Sequence, residues 1–333
     1  MSGSSELVRT SAPIRAEVTP SSGWLDGVNV VDLSTFGPGA RCSRALADYG
    51  ARVVRVAAPG GPRPEPWAYG GGRGGEQVEL DVKPPAGRDR FLVLAADADV
   101  VIESFRPGVV DQLGIGYDAV RAVNPAVVYC STTGYGQSGP RSQWAGHDLN
   151  YLAVGGYLHC SGRDGDGVPA LPGATVADIA GGGMRAAMSI LSALLQRERT
   201  GQGAYLDVSV TDGVEWMQSL YVEEHLATGA DPGPGHHVLT GRYACYGIYR
   251  CRDGGFVSVA AIEPRFFANL CNAVGLARWT RVQYDDAAQD DLRAELRRMF
   301  ATRTRDEWVA ELAPADCCVA PVLTIKEVAA ERG

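Results

Sequence analysis

The chain has 333 residues, 45% hydrophobic and 21% charged, with a formal net charge of -8 at neutral pH. That length exceeds what a single core usually fills, so two domains are expected, and the acidic balance speaks against a nucleic-acid surface. No apolar run is long enough to span a bilayer and no charged, then apolar leader opens the chain, so a soluble, cytoplasmic protein without a membrane partner is the expectation.

Residues 1–22, rich in Ser, Thr and Pro, read as a flexible tail. Order is expected from Trp24. Val28–Leu33 is a β-rich run, Phe36-Gly37-Pro38-Gly39 a turn, Arg41–Tyr49 carries apolar residues at helical spacing, and Arg52–Val56 is a second strand. This βαβ unit has a glycine-bearing first turn, the usual place for a nucleotide's phosphates to meet a helix N-terminus, which makes Phe36 and Gly37 candidate cofactor contacts. The Pro/Gly stretch Pro59–Gly75 reads as a lid or spacer. Strands at Gln77–Val82, Val100–Glu103 and Val127–Ser131 then alternate with helices from about Ala86 and over Tyr117–Val123, the signature of a parallel α/β sheet.

Gly146-His147-Asp148-Leu149-Asn150-Tyr151 sets a histidine and a carboxylate just before an apolar, helix-like run. An imidazole can take a carbon-bound proton, and backbone N–H groups at a helix start can hold the oxyanion that this creates. The alternative for such a histidine is a capping or surface role. Asp178 precedes Gly181-Gly182-Gly183 and an apolar helix over Met184–Leu195. It is read either as an N-cap carboxylate or as a site residue, and the three glycines imply close approach of another backbone or a ligand. Tyr205–Val210 is a strand and Gly213–Leu226 a helix. The Gly/Pro/Asp stretch Gly229–Gly235 is taken as the domain boundary, with His236 and His237 exposed in it. A hairpin over Tyr243–Arg250 and Phe256–Ala260, then helices over Phe266–Val274 and Glu307–Leu312, make a small α+β domain. The eight cysteines show no CxxC spacing, and the adjacent Cys317 and Cys318 do not suit zinc, so reduced thiols and no metal site are expected.

In order along the chain, Gly27–Gly60, Glu103-Ser104-Phe105-Arg106-Pro107-Gly108, Gly134–Pro140, the His147 motif, Asp178 with its glycines and Ala261-Ile262-Glu263-Pro264 resemble the α-methylacyl-CoA racemases, a branch of the CaiB/BaiF or family III CoA-transferases. The similarity runs from about Gly23 to Val328. It implies a Rossmann-like large domain (23–228, with 315–333 returning to it), a small α+β domain (229–314), and two chains interlocked as rings, each site built from the large domain of one and the small domain of the other. It also implies that His147, Asp178 and Glu263 act together in racemisation, with Glu263 orienting His147, and no cofactor beyond the CoA moiety of the substrate. In transferases of the family the residue matching Asp178 is a nucleophile.

The residue types suit that chemistry. Inversion at the α-carbon of a 2-methylacyl thioester needs a base on one face, an acid on the other and a stabilised enolate between them. His147 and Asp178 supply the pair, and the backbone N–H of Asp148 the oxyanion contact. Two departures from the relatives bear on the ligand. Ala57-Ala58-Pro59-Gly60 lacks an arginine that contacts the CoA nucleotide in them, and Gly72–Glu76 lacks a basic cluster, leaving Arg55, Arg73 and Arg106 as candidate phosphate partners. The resemblance also implies that relatives run on past the position of Gly333, so either this sequence is shortened or a groove covered in them is open here. An acyl thioester on a carrier protein's phosphopantetheine arm is therefore an alternative to acyl-CoA, beside a transferase using Asp178 and a relative that binds without catalysis.

Overall fold

The computed structural model describes residues 23–61 and 75–331. The expected tail, most of the Pro59–Gly75 loop and Arg73 lie outside them. The described residues form a mixed α/β protein that divides into two compact units, the first comprising residues up to Tyr157 and Pro172–Ser219, the second Leu158–Leu171 and the described residues from Leu220 onward.

The first unit is built on a six-stranded sheet of β1 (Asn29–Asp32), β2 (Arg52–Ala57), β3 (Gly75–Glu79), β4 (Val100–Glu103), β5 (Val128–Thr133) and β6 (Ala204–Ser209). Its spatial order is β3-β2-β1-β4-β5-β6 and every pairing is parallel. The central strands β1 and β4 carry Val/Ile runs because helices cover both faces, and β4 and β5 are buried along their whole length. The two-residue period divides them. Val30, Val100, Ile102 and Val128 face Leu46 and Ile190 on one side, while Val31, Val101 and Tyr129 face Phe91 and Val120 on the other. This is the doubly wound order, in which connections leave β1 and β4 in opposite directions and open a crevice at their C-terminal ends.

Two helical features differ from the sequence expectation. The helix carrying Asp178 starts before the glycines, with a π-helical stretch over Ala177–Met184 running into the α-helix Arg185–Thr200. The expected helix Gly213–Leu226 is broken at Gln218 into Val210–Met217 and Ser219–Thr228.

The second unit holds an antiparallel sheet of β7 (Tyr246–Arg250), β8 (Phe256–Ala260) and β9 (Val319–Pro321). The predicted hairpin is present, with Arg250 opposite Phe256 and Gly254 at φ +85° in its turn. Helices Pro264–Ala273, Gln289–Phe300 and Arg305–Leu312 pack Phe267, Leu296, Phe300 and Trp308 against it. The expectation that residues 315–333 return to the large domain is corrected. Val319 pairs with Val259 and Pro321 with Val257, so backbone hydrogen bonding ties this segment to the small sheet. Also corrected is the exposure of His236 and His237, both half-buried, with His236 Nε2 2.8 Å from Glu224 Oε1. All eight cysteines are free thiols. Among the described residues, no helix is long and apolar enough to cross a membrane.

Candidate active site

A cavity of about 810 Å³ opens at the C-terminal ends of β1, β4 and β5, where the strand order reverses. Its walls come from the turns after those strands. Leu33, Thr35, Phe36 and Gly37 follow β1, Ser104, Phe105 and Arg106 follow β4, and Gly134 and Tyr135 follow β5, with His147, Asn150, Tyr151 and Asp178 closing it. Of the predicted site residues, Phe36, Gly37, Arg106, His147 and Asp178 line this one space. Gly37 takes φ +68° where the chain enters the helix Gly37–Asp48, and a Cβ there would lie 3.8 Å from Asp178 Oδ2.

His147 is the N-cap residue of the helix Asp148–Val154, and its own N–H donates to Asn150 Oδ1 at 3.0 Å. Asp148 is the first residue of that helix, so its N–H cannot bond within the helix. Its side chain is committed elsewhere: Asp148 Oδ1 accepts the backbone N–H of Asp178 at 2.8 Å. That bond ties the His147 turn to the helix bearing Asp178. Asp178 itself lies inside the first turn and is not an N-cap, which is the position of Val176.

The glycines beside Asp178 serve packing. A Cβ at Gly182 would lie 2.4 Å from Pro38 Cβ, and one at Gly181 2.9 Å from the Val210 carbonyl oxygen. The bare backbone lets the Asp178 helix press against the Gly37–Asp48 and Val210–Met217 helices and carries Asp178 to the Phe36–Pro38 turn. Burial, with the like charge of Asp148, pushes the Asp178 carboxyl up to about 6, against the opposing pull of Arg41 and His147.

Other predicted residues fall outside this cavity's lining. Arg55 approaches Asp32, with Nε 3.8 Å from the buried Oδ2, and its side chain is only 16% exposed. Glu263 belongs to the second unit, where it is the exposed N-cap residue of Pro264–Ala273. Contributions not foreseen from the sequence are Arg41, the Asp148 side chain, and Tyr135 and Trp144, which form an aromatic wall with Tyr151. Tyr135 packs edge-on against both others at centroid distances of 5.9 and 5.2 Å, and Tyr151 donates from its hydroxyl to the Gly146 carbonyl at 2.6 Å. The spacing of aromatic residues from Tyr135 through Tyr151 was the available signal. Glu103, at the end of β4, is buried and accepts the Phe105 N–H at 2.7 Å, bracing the Ser104–Pro107 wall.

Residues 25–333 match CoA-transferase family III. The chain belongs to that family. It is 38% identical to human alpha-methylacyl-CoA racemase over 308 residues, 91% of this chain and 79% of the relative. It is 32% identical to acetyl-CoA:oxalate CoA-transferase of Acetobacter aceti, over 94% of this chain and 85% of that protein. Among solved structures, a CaiB/BaiF family protein from Brucella suis superposes with a TM-score of 0.79 at 29% identity, covering 92% of this chain and 85% of the other.

Proposed function

We propose that this family member is a racemase or epimerase of 2-methylacyl thioesters, acting on acyl-CoA by 1,1-proton transfer through an enolate. The observation that carries this reading is that Asp178, a carboxyl drawn up to about 6, lines the same cavity as His147. A carboxyl in that range keeps a protonated fraction near neutrality, which a proton donor needs and a carboxylate nucleophile does not. The similarity to human alpha-methylacyl-CoA racemase supports the same chemistry.

In the proposed reaction His147 takes the α-proton and the C–H electron pair moves onto the thioester oxygen as an enolate, which the Asp148 N–H stabilises. The electrons return through the carbon as it takes the Asp178 proton on its opposite face. Inverted thioester, imidazolium and Asp178 carboxylate result. The opposite epimer runs the roles in reverse, so the pair must hold one proton in total. Glu263, supplied by the small domain of a second chain in a homodimer, is assigned the orientation of His147 on the family resemblance. Arg106 is the described arginine at this cavity suited to a CoA phosphate.

Incubating a 2-methylacyl-CoA with the protein in heavy water tests the proposal. The expected result is label at the α-carbon together with epimerisation. No label, but transfer of CoA between carboxylic acids that survives His147→Ala, would establish Asp178 as an acyl-accepting nucleophile instead. The A. aceti relative makes that the second reading.

A further inference from the structure

The Asp148 side chain is not accounted for by the oxyanion contact, which uses only its backbone. Its carboxylate reaches across thirty positions of sequence to take the Asp178 N–H at 2.8 Å. That N–H is one of the first amides of a helix and has no acceptor within it. We infer that the Asp148 side chain is a positioning group for Asp178, anchoring the start of its helix and setting a fixed negative charge beside the proton donor. Its part in turnover rests on the racemase reading above.

Geometry and charge act together here. The π-helical stretch Ala177–Met184 contains three consecutive glycines, which have poor intrinsic helix propensity, so its first turn depends on outside contacts to hold Asp178 in place. Asp148 supplies one of them from the loop and helix that also present His147, so the two proton-transfer groups are referenced to one another by a single bond. The groups that bear on the Asp178 carboxyl are His147, Asp148 and Tyr151 from the Asp148 turn and helix, and Arg41 from the Gly37–Asp48 helix. Arg41 and His147 favour the carboxylate, and the Asp148 anion opposes them. Without its charge the balance tips toward an ionised Asp178, which cannot serve as the proton donor.

Asp148→Asn separates the two roles, because the amide oxygen still accepts the Asp178 N–H while the charge is gone and the backbone N–H remains. Protein labelled with carbon-13 at aspartate carboxyls would be titrated by NMR, the Asp178 signal being assigned by its loss in Asp178→Asn. The Asp178 midpoint should fall by ~0.5–1 pH unit in the Asn variant. The acid limb of α-deuterium exchange, where both groups become protonated and no base remains, should move down with it. An unmoved midpoint overturns the proposal. Asp148→Ala removes the acceptor as well, and kcat should drop at least ~10-fold below the Asn variant with little change in KM, since the anchor orients a donor used in the transition state. Equal kcat in the two variants overturns the anchoring role. If the Asn variant does not fold, Asp148→Ser, which keeps an oxygen acceptor without charge, is titrated in its place. Wild-type protein that exchanges no α-proton defeats the racemase reading, while the NMR midpoint still decides the positioning of Asp178.

Discussion

Gly182 and Pro38 meet so closely that a Cβ on the glycine would lie 2.4 Å from the proline's Cβ. Pro38 stands in the first turn of the helix after β1, and Gly182 one turn beyond Asp178, so this contact sets how near Asp178 comes to the Phe36–Gly37 wall. Gly182→Ala adds one methyl to a place with no room. Overpacking of this kind costs about 1–3 kcal/mol, outweighing the ~1 kcal/mol that alanine gains in helix propensity. The expected outcome is a net loss of stability in denaturant unfolding and a fall in kcat as Asp178 is pushed off position. A variant as stable and active as the parent would show that the two helices slide apart at no cost.

Two distinct bases predict a separation that a single base cannot give. With Asp178→Asn, His147 still removes the α-proton of the epimer that presents it and returns deuterium to the same face. That variant should wash deuterium into one epimer while epimerisation falls by ~10²–10⁴-fold, the usual worth of a general acid or base. His147→Ala should show the same for the opposite epimer. Chiral chromatography with mass spectrometry reads both. Loss of exchange from both epimers in either variant would mean that one residue serves both faces.

The sheet was legible because its central strands are buried on both faces, and runs such as Val100-Val101-Ile102 have few other places to go. His147 and Asp178 were legible as residue types, and the switch-point cavity gathers them as the strand order would lead one to expect. What failed was whatever depends on long-range packing. The helix was expected to begin at Met184, yet Gly181–Gly183 sit inside it, because its formation is decided by the neighbours it presses against. Val319–Pro321 is three residues long, too short for a periodic pattern, and its pairing with β8 comes from an available sheet edge. The bond from Asp148 to Asp178 joins positions thirty apart and leaves no local signature.

Arg106 is exposed at the cavity wall formed by the loop after β4. A guanidinium there suits a phosphate, and it should matter only for substrates that carry one. Arg106→Ala is expected to raise KM for an acyl-CoA by about tenfold, since an exposed charge-assisted contact is worth less than a buried one. The corresponding acyl-pantetheine, which lacks the nucleotide, should be turned over by both proteins with similar KM. Equal increases for the two substrates would mean that Arg106 holds the cavity wall and not the nucleotide.

Glu103 gives a pH dependence whose sign is fixed by its environment. Burial pushes its carboxyl from an ordinary 4.5 up to about 7, against the hydrogen bonds from Ser131 and the Phe105 N–H. Between those values the folded protein binds a proton that the unfolded chain has released, so stability falls as pH rises. The contribution is fully present below 4.5 and lost by about 7. Integrated over that window, the loss is about 3 kcal/mol. Glu103→Gln has no proton to lose and an amide oxygen that can still accept the Phe105 N–H. Urea unfolding at pH 4.5 and 7.5 should therefore show the parent losing about 3 kcal/mol more than the variant across the interval. Parallel losses would mean that Glu103 is ionised within the folded protein throughout, with its charge met by donors that the strand end already provides.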